Sequence, residues 1–237
     1  MATLDGARVL VIGGASGVGF AVAAAASAAG AEVVVGSSQT ARIEAAAQKL
    51  GRGAVGRTVD VKDEASVEAF FEAAGAFDHL AFTAGDWGHM FGPTRDLDID
   101  ASKARLEVRL WGAARAAKHA IRRIAPHGSI TLTGGMLAHR PMPGAPLTTA
   151  SAHTTEGLAM GLARDLAPVR VNAVCLGLIL SEQVQTMGEA VLKGFTANLP
   201  LPRAGTVEEA AEAYLYLMRA TYVTGQIVRV DGGGSLV

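Results

Sequence analysis

The residues best suited to chemistry form a glycine-rich segment near the start of the chain. An apolar run ends at Ile12, the segment GGASGVG follows at 13–19, and an alanine-rich stretch comes directly after it. Glycine lets a backbone turn sharply and approach a phosphate closely, and the free amides at the start of a helix attract an anion. The segment therefore predicts a phosphate-binding turn, with a dinucleotide as its natural occupant. The alternative is structural, because a tight strand-to-helix turn needs glycine without any ligand.

Seven short apolar runs are the predicted strands that would position this turn. They alternate with alanine-rich segments of helical period, which is typical of parallel strands joined by crossover helices. Most runs lack an alternating polar face, as expected where helices cover both faces of a sheet. We therefore predict an α/β fold with one doubly wound, seven-stranded parallel sheet. The runs are 8–12, 32–35, 55–59, 79–82, 129–133, 169–174 and 226–230.

The predicted helices and the irregular segments complete the organisation of the chain. No linker, repeat or change of composition divides the sequence, so we predict one domain over 1–237. Two irregular segments, 86–94 and 178–202, follow strands on the side where such sheets bind ligands, and we expect 178–202 to form a lid. The predicted helices are 17–29, 41–50, 64–74, 101–124 and 149–166.

Composition and charge narrow the classes of partner. With 50% apolar and 18% charged residues, the chain has the apolar content that folding requires. The formal net charge of −1 gives no field that would attract nucleic acid or an anionic membrane, so we expect a small-molecule substrate. Cys175 is the single cysteine and the six histidines are scattered, so neither a disulfide nor a metal cluster is predicted. No segment reads as a secretory signal or a membrane span, and we expect a cytoplasmic protein.

Five motifs in order along the chain carry a resemblance to a known family. They are GGASGVG at 13–19, Asp60-Val61, TAG at 83–85, VRVNAV at 169–174 and VTGQIVRVDGG at 223–233. Together they resemble the short-chain dehydrogenase/reductase family, whose fold is of the Rossmann type. The resemblance implies a nicotinamide cofactor and a homodimer or homotetramer. Trp111, among small residues on the predicted long helix, suits close helix packing between subunits.

The resemblance also implies which residues would contact the cofactor. The glycines of the first motif would hold the pyrophosphate, Asp60 would meet the adenine, and Ser181 would reach the nicotinamide carboxamide. The alternatives are that Asp60 is a helix-capping carboxylate and that Ser181 is a solvated loop serine. The implied cofactor residues are Gly13, Ser16, Gly17, Val18, Gly19, Asp60, Val61, Ala84, Gly85, Gly177, Ile179 and Ser181.

The end of the second predicted strand bears on the choice between the two nicotinamide cofactors. An acidic residue there would bind the ribose diol and repel a 2′-phosphate, and none is present. Ser37 and Ser38 stand in its place, with Arg42 one turn further on. Two hydroxyls and an arginine suit a phosphate, so we predict NADP(H), with NAD(H) as the alternative. In the structural alternative, Ser37 and Ser38 only cap a helix and Arg42 is solvated.

The residues that usually catalyse the family's reaction are all replaced in the register implied by the resemblance. The tyrosine position holds Thr148, the lysine position Ala152, the serine position Gly135 and the asparagine position Arg109. A threonine hydroxyl cannot replace the phenol as an acid, and Ala152 supplies no charge to assist it. We therefore expect the usual reaction to be lost or to proceed through other groups.

Arg109, Thr148 and His153 are the candidates for such a substitute role. An arginine could hold a substrate carboxylate or a developing oxyanion, or it could simply pair with a nearby acid. A shift of register would give Thr149 and His153 the tyrosine and lysine positions. Thr148 or Thr149 could equally be no more than a helix cap. We expect His139 and Arg140 to be solvated.

The sequence predicts an atypical NADP(H)-dependent oxidoreductase that acts on a small carbonyl, imine or activated alkene. Two further classes of function stay open. The first is a non-catalytic cofactor-binding module, either a redox sensor or a silent subunit, which the loss of the usual residues would explain. The second is a non-redox enzyme resembling the family's dehalogenase relatives. The state of the bound cofactor would distinguish the three.

Overall fold

A single parallel sheet of seven strands forms the centre of the molecule in the computed structural model, which describes residues 2–85 and 91–237. The strand order is β3-β2-β1-β4-β5-β6-β7, and every neighbouring pair is parallel. The order reverses between β1 and β4, which is where doubly wound sheets bind ligands. The strands are β1 (Arg8–Ile12), β2 (Glu32–Ser37), β3 (Val55–Thr58), β4 (Phe77–Phe82), β5 (Ile124–Gly135), β6 (Arg170–Leu176) and β7 (Ile227–Val230). The predicted fold class is confirmed.

Helices cover both faces of the sheet. Side chains alternate between the faces along β1: Leu10 and Ile12 pack into one core and Val9 and Val11 into the other. The first core includes side chains of α3, α5 and α6, and the second includes side chains of α1 and α9. The helices are α1 (Gly17–Ala28), α2 (Thr40–Leu50), α3 (Glu64–Ala74), α4 (Ile99–Leu106), α5 (Ala113–Ala120), α6 (Pro146–Asp165), α7 (Glu182–Gln185), α8 (Glu189–Thr196) and α9 (Val207–Arg219).

The predicted long helix at 101–124 is wrong at its C-terminal end, and its middle is π-helical instead of α-helical. A π-helical segment, Glu107–Gly112, joins α4 to α5, and α5 ends at Ala120. The chain from Ile124 is already β5, because Ile124 pairs with Phe77 of β4. A π-helical segment widens the helix locally and is frequent at functional sites.

Two other elements differ from the sequence prediction. Helix α9 was missed, although Thr206 and Glu209 form a capping box that is readable as a Thr-x-x-Glu motif. The segment 178–202 contains α7 and α8, and of the segment 86–94 the residues 86–90 lie outside the described part of the chain. Within the described ranges, no helix has the length and apolar character needed to span a bilayer.

Candidate functional site

The glycine-rich turn links β1 to α1 at the carboxyl edge of the sheet. A Cβ at Gly13 would lie 2.5 Å from the amide nitrogen of Ala84, and one at Gly19 would collide with the carbonyl oxygen of Gly13. Packing alone therefore requires these two glycines. Gly17 has a φ of +51°, the left-handed region that favours glycine. The glycine pattern thus has a structural cause, as the alternative interpretation held, and it does not by itself establish a ligand.

The start of α1 provides a second observation about the glycine-rich turn. Ser16 is the N-cap residue of α1, yet its side chain makes no capping hydrogen bond. The first amides of a helix have no partner within the helix, and such amides are commonly satisfied by an N-cap side chain or by a bound anion. The turn therefore fits the pyrophosphate of a dinucleotide.

A cavity of about 920 Å³ opens in front of this turn. It runs from the end of β2, past the glycines, to the π-helical segment. Of the residues predicted to bind the cofactor, all but two lie on its wall: Gly13, Ser16, Gly17, Val18, Gly19, Ser37, Ser38, Arg42, Asp60, Val61, Ala84, Gly85 and Ser181.

Gly177 and Ile179 are the two predicted cofactor residues that are absent from this wall. Gly177 packs so closely on Asp231 that an added Cβ would lie 2.6 Å from the Asp231 Cα. Ile179 is buried and lines a separate cavity of about 310 Å³, next to Leu199 and Gly205. Of the residues from Gly177 to Ser181, only Ser181 therefore lies on the wall of the main cavity.

The end of β2 places Ser37, Ser38 and Arg42 together on the cavity wall. The N-cap residue of α2 is Gln39, and no side chain caps that helix. Ser37 accepts a long hydrogen bond of 3.4 Å from the Gln39 amide. The structural alternative is therefore wrong about these serines, which do not cap α2, but its second part agrees with the structure, because Arg42 is exposed.

The other cofactor-side alternatives also have clear outcomes. Asp60 does not cap α3, since Asp63 is its N-cap residue. The Asp60 carboxylate accepts a hydrogen bond from the Lys62 amide at 3.0 Å and stays on the cavity wall. Ser181 is not a solvated loop serine, because its hydroxyl accepts from the Val184 amide at 3.4 Å and caps α7.

Arg109 projects from the π-helical segment into the inner end of the cavity. Its side chain is 7% exposed, and burial lowers the pKa of its guanidinium to about 10. A Cβ at Gly85 would lie 2.9 Å from Arg109 Nη2, so the guanidinium packs directly on that glycine. Arg109 thus places a buried positively charged group at the inner end of the cavity.

A buried hydroxyl pair lies on the β5 side of the same inner end. Thr133 donates to the Phe82 carbonyl at 2.7 Å, and its oxygen lies 2.7 Å from the Tyr214 hydroxyl. Since Thr133 has one proton to donate, Tyr214 is the donor of the second bond. Burial raises the pKa of Tyr214 above its usual value. The phenol is therefore a poor acid, and Thr133 is the member of the pair on the cavity wall.

The other predicted catalytic positions are not on the wall of this cavity. Thr148 and Ala152 are 3% and 1% exposed and lie one turn apart on the buried side of α6, and Gly135 ends β5. The prediction that Thr148 or Thr149 caps the helix is wrong, because α6 begins at Pro146 with Ala145 as its N-cap residue.

His153 lies on the exposed side of α6. Its Nδ1 donates to the Thr149 carbonyl at 3.2 Å, a contact within its own helix. Of Arg109, Thr148 and His153, only Arg109 lies on the cavity wall.

His79 and His119 are buried histidines whose rings contact neighbouring side chains. His79 Nδ1 lies 2.9 Å from the Ser129 hydroxyl, and His119 Nε2 lies 2.7 Å from a Glu64 carboxylate oxygen. The prediction that His139 is solvated is wrong. Its Nε2 lies 2.9 Å from Glu156 Oε1, and Arg229 contacts its other ring nitrogen at 3.2 Å.

Several residues of the cavity wall were not predicted from the sequence. Lys62 follows β3, Arg105 and Val108 precede Arg109 on the helix, and Leu176 ends β6. Arg105 could have been found from its spacing, since residues four apart share a helix face. The π-helical segment that aims Arg109 inward has no recognisable sequence signal.

The fold and the cavity agree with the proteins to which this chain is similar. A family profile described as "Enoyl-(Acyl carrier protein) reductase" matches residues 13–235. The short-chain dehydrogenase/reductase ucsE of Acremonium sp is 35% identical over 97% of this chain and 96% of its own length. The chain therefore belongs to the short-chain dehydrogenase/reductase family, whose members are oxidoreductases that use a nicotinamide cofactor.

Two solved structures illustrate the range within this family. The reductase/Diels-Alderase MalC of Malbranchea aurantiaca has a TM-score of 0.91 and 29% identity, with 99% of this chain and 98% of that chain covered. A small-chain dehydrogenase in complex with NADPH has a TM-score of 0.80 and 31% identity, with 98% of this chain and all of that chain covered.

Proposed function

We propose that this protein is an NADP(H)-dependent reductase of a small carbonyl, imine or activated alkene, and that Arg109 takes the place of the usual proton-donating machinery. The observation that carries the proposal is the position of Arg109. It is the one candidate catalytic side chain on the wall of the cavity that begins at the phosphate-binding turn. The buried guanidinium thus lines the same cavity as the occupant whose phosphates would rest on α1.

The preference for NADP(H) rests on the end of β2. Ser37, Ser38 and Arg42 line the cavity there and supply two hydroxyls and a cation, with no acidic residue among them. A 2′-phosphate gains charge-assisted hydrogen bonds from such a set, whereas a ribose diol would lack its carboxylate acceptor. A structural relative in complex with NADPH supports the same preference.

The proposed chemistry divides between cofactor and chain. The bound nicotinamide would supply the hydride. Arg109 would donate hydrogen bonds to the substrate oxygen or nitrogen and stabilise the negative charge that develops on it, in a site where burial strengthens the interaction. Arginine keeps its proton, because even the lowered pKa of about 10 lies above neutral pH, so water would deliver the final proton. Thr133 gives its proton to the Phe82 carbonyl, so it would only accept a hydrogen bond, from an N–H or O–H group of the substrate.

The proposal extends to the protein's assembly, its organisation and its place in the cell. Trp111 is 55% exposed on the π-helical segment, which suits burial in a homodimer or homotetramer. We propose a cytoplasmic protein with a single domain over 1–237, in which 178–202, carrying α7 and α8, acts as the substrate lid.

Titration and turnover test the proposal together. We expect NADPH to bind more tightly than NADH in a fluorescence titration, and NADPH to be oxidised with at least one member of a panel of carbonyls, imines and activated alkenes. NADH binding as tight as NADPH binding would overturn the cofactor preference. Tight NADPH binding with no oxidation across the panel would instead favour the non-catalytic module, and no cofactor binding would favour the non-redox enzyme.

A further inference from the structure

A second cluster of reactive side chains lies outside the cavity, on the face of the sheet that α6 covers. In the parallel register, Gly134 of β5 is the partner of Cys175 on β6, and Cys175 is the partner of Arg229 on β7. Partners in a parallel register place their side chains on the same face. Thr133 and Leu176, the adjacent residues on β5 and β6, point to the other face and line the main cavity. The cluster residues are therefore not part of the wall of the main cavity.

A carboxylate lies beside Gly134 in this row. Glu156 reaches down from α6, and its Cγ would lie 3.9 Å from a Cβ added at Gly134. The Glu156 side chain is 9% exposed, and its Oε1 lies 2.9 Å from His139 Nε2. Cys175 is fully buried beside it, with its sulfur within 4.8 Å of the carboxylate oxygen. One carboxylate oxygen, one imidazole nitrogen and the sulfur all lie within 4.8 Å of one another.

We propose that His139, Glu156 and Cys175 form a site for a borderline-soft divalent cation of the zinc class. Sulfur, imidazole nitrogen and carboxylate oxygen are the three donor types that Zn²⁺ prefers in proteins, and three protein donors leave a fourth position for water. The donors come from three separate elements, so an ion would join α6 to β6 and to the turn after β5. The imidazole is 22% exposed, which gives an ion a path from solvent.

The contacts of His139 define what must change when an ion binds. A guanidinium can only donate, so the 3.2 Å contact from Arg229 leaves His139 Nδ1 with a lone pair and puts the proton on Nε2. Coordination through Nε2 requires that proton to leave and Nδ1 to take one up from solvent, while Arg229, which is exposed, turns into water. The S–H bond of Cys175 breaks and the sulfur–metal bond forms. The balance is one proton released per ion, with no change of oxidation state.

The single cysteine makes the assignment directly measurable. In metal-stripped, untagged protein at pH 7 to 8, we expect Co²⁺ to bind one ion per chain, with the absorption of a tetrahedral site and a near-ultraviolet band of thiolate-to-cobalt charge transfer. Because one proton is released for each ion bound, we expect the affinity for the ion to rise about tenfold per pH unit. Added Zn²⁺ should displace the cobalt, remove the band and raise the melting temperature.

Variants separate this site from surface binding. Cys175→Ser should lose the charge-transfer band, and His139→Ala and Glu156→Gln should each weaken binding at least about tenfold. The matched control is His127→Ala, which removes an exposed histidine outside the cluster and should leave the cobalt spectrum unchanged. Absence of any charge-transfer band in the wild-type protein overturns the proposal. So does an equal affinity for the ion in the wild-type protein and in His139→Ala, a partly exposed position where loss of folding does not confuse the result.

Discussion

The two ends of the main cavity are built from different parts of the chain. The phosphate end is made of backbone: glycines packed against Ala84 and the uncapped first amides of α1. The inner end is made of side chains, with Arg109 on a π-helical segment and Thr133 on β5. A backbone site tolerates little change because packing also depends on it, whereas a side-chain site can change its chemistry and leave the fold intact. The first end therefore identifies the family, and the second end determines the reaction.

The largest expected effect is at the phosphate end. Gly19→Ala places a Cβ against the carbonyl oxygen of Gly13, and the backbone must shift to relieve the collision. We expect a loss of unfolding free energy of about 3 kcal/mol, measured by urea denaturation, together with weaker NADPH binding. The control is Gly161→Ala on α6, where an added Cβ meets open space. This variant should raise the free energy of unfolding by about 0.5 to 1 kcal/mol, because alanine favours the helix over glycine. Equal stability of the two variants would contradict the role of backbone packing at this end.

The next effect, at the inner end, should fall on rate and spare the fold. Arg109→Met keeps the buried volume and removes the guanidinium, so we expect kcat/KM to fall about 10²- to 10³-fold with the best substrate of the panel. NADPH affinity should change much less. Arg123→Met, at an exposed position before β5, is the control for the loss of a positive charge. A variant of Arg109 with unchanged kcat/KM would remove this residue from the mechanism.

A smaller effect should separate the two cofactors. Arg42→Met removes the cation near Ser37 and Ser38, and we expect NADPH affinity to fall about 10- to 100-fold, the value of a charge-assisted hydrogen bond. NADH affinity should stay the same, because its ribose offers no phosphate to this arginine. Parallel fluorescence titrations with both cofactors measure the difference. A matching fall for NADH would mean that Arg42 acts on the fold of α2 instead.

The smallest expected effect is on the pH dependence of stability, and it concerns a residue that lies outside both ends of the cavity. Burial lowers the pKa of His79 on β4 from 6.5 to about 4. The unfolded chain therefore binds more protons than the folded one between these values. Stability is highest above pH 6.5 and falls as the pH drops toward 4, by about 2 kcal/mol at pH 5. His79→Asn retains a partner for Ser129 and should flatten the pH dependence of urea denaturation. An unchanged pH dependence would assign the effect to other groups.

Most of the fold and the phosphate end of the cavity can be predicted from the sequence, and less of the inner end can. The apolar runs of β1, β4 and β6 and the glycines of the turn are local patterns, and local patterns are what a sequence shows directly. Helix α9 is also predictable from a local pattern, because its Thr-x-x-Glu capping box is visible in the sequence.

The inner end depends on features that no local pattern encodes. The π-helical segment that aims Arg109 depends on how α4 and α5 pack against the sheet. The cluster of His139, Glu156 and Cys175 joins residues from three elements, and only the strand register brings them together. Because both follow from tertiary packing, neither could be read from the spacing of residues along the chain.

The contact between Ser181 and Gly17 bears on the order in which ligands arrive. The Ser181 Cβ lies 3.3 Å from where a Gly17 Cβ would stand, and the same serine begins α7. The N-cap residue of α7, in the proposed lid, thus lies against the glycine-rich turn of the cavity. We therefore expect an ordered addition in initial-rate kinetics, with the nucleotide binding first and the electrophile second.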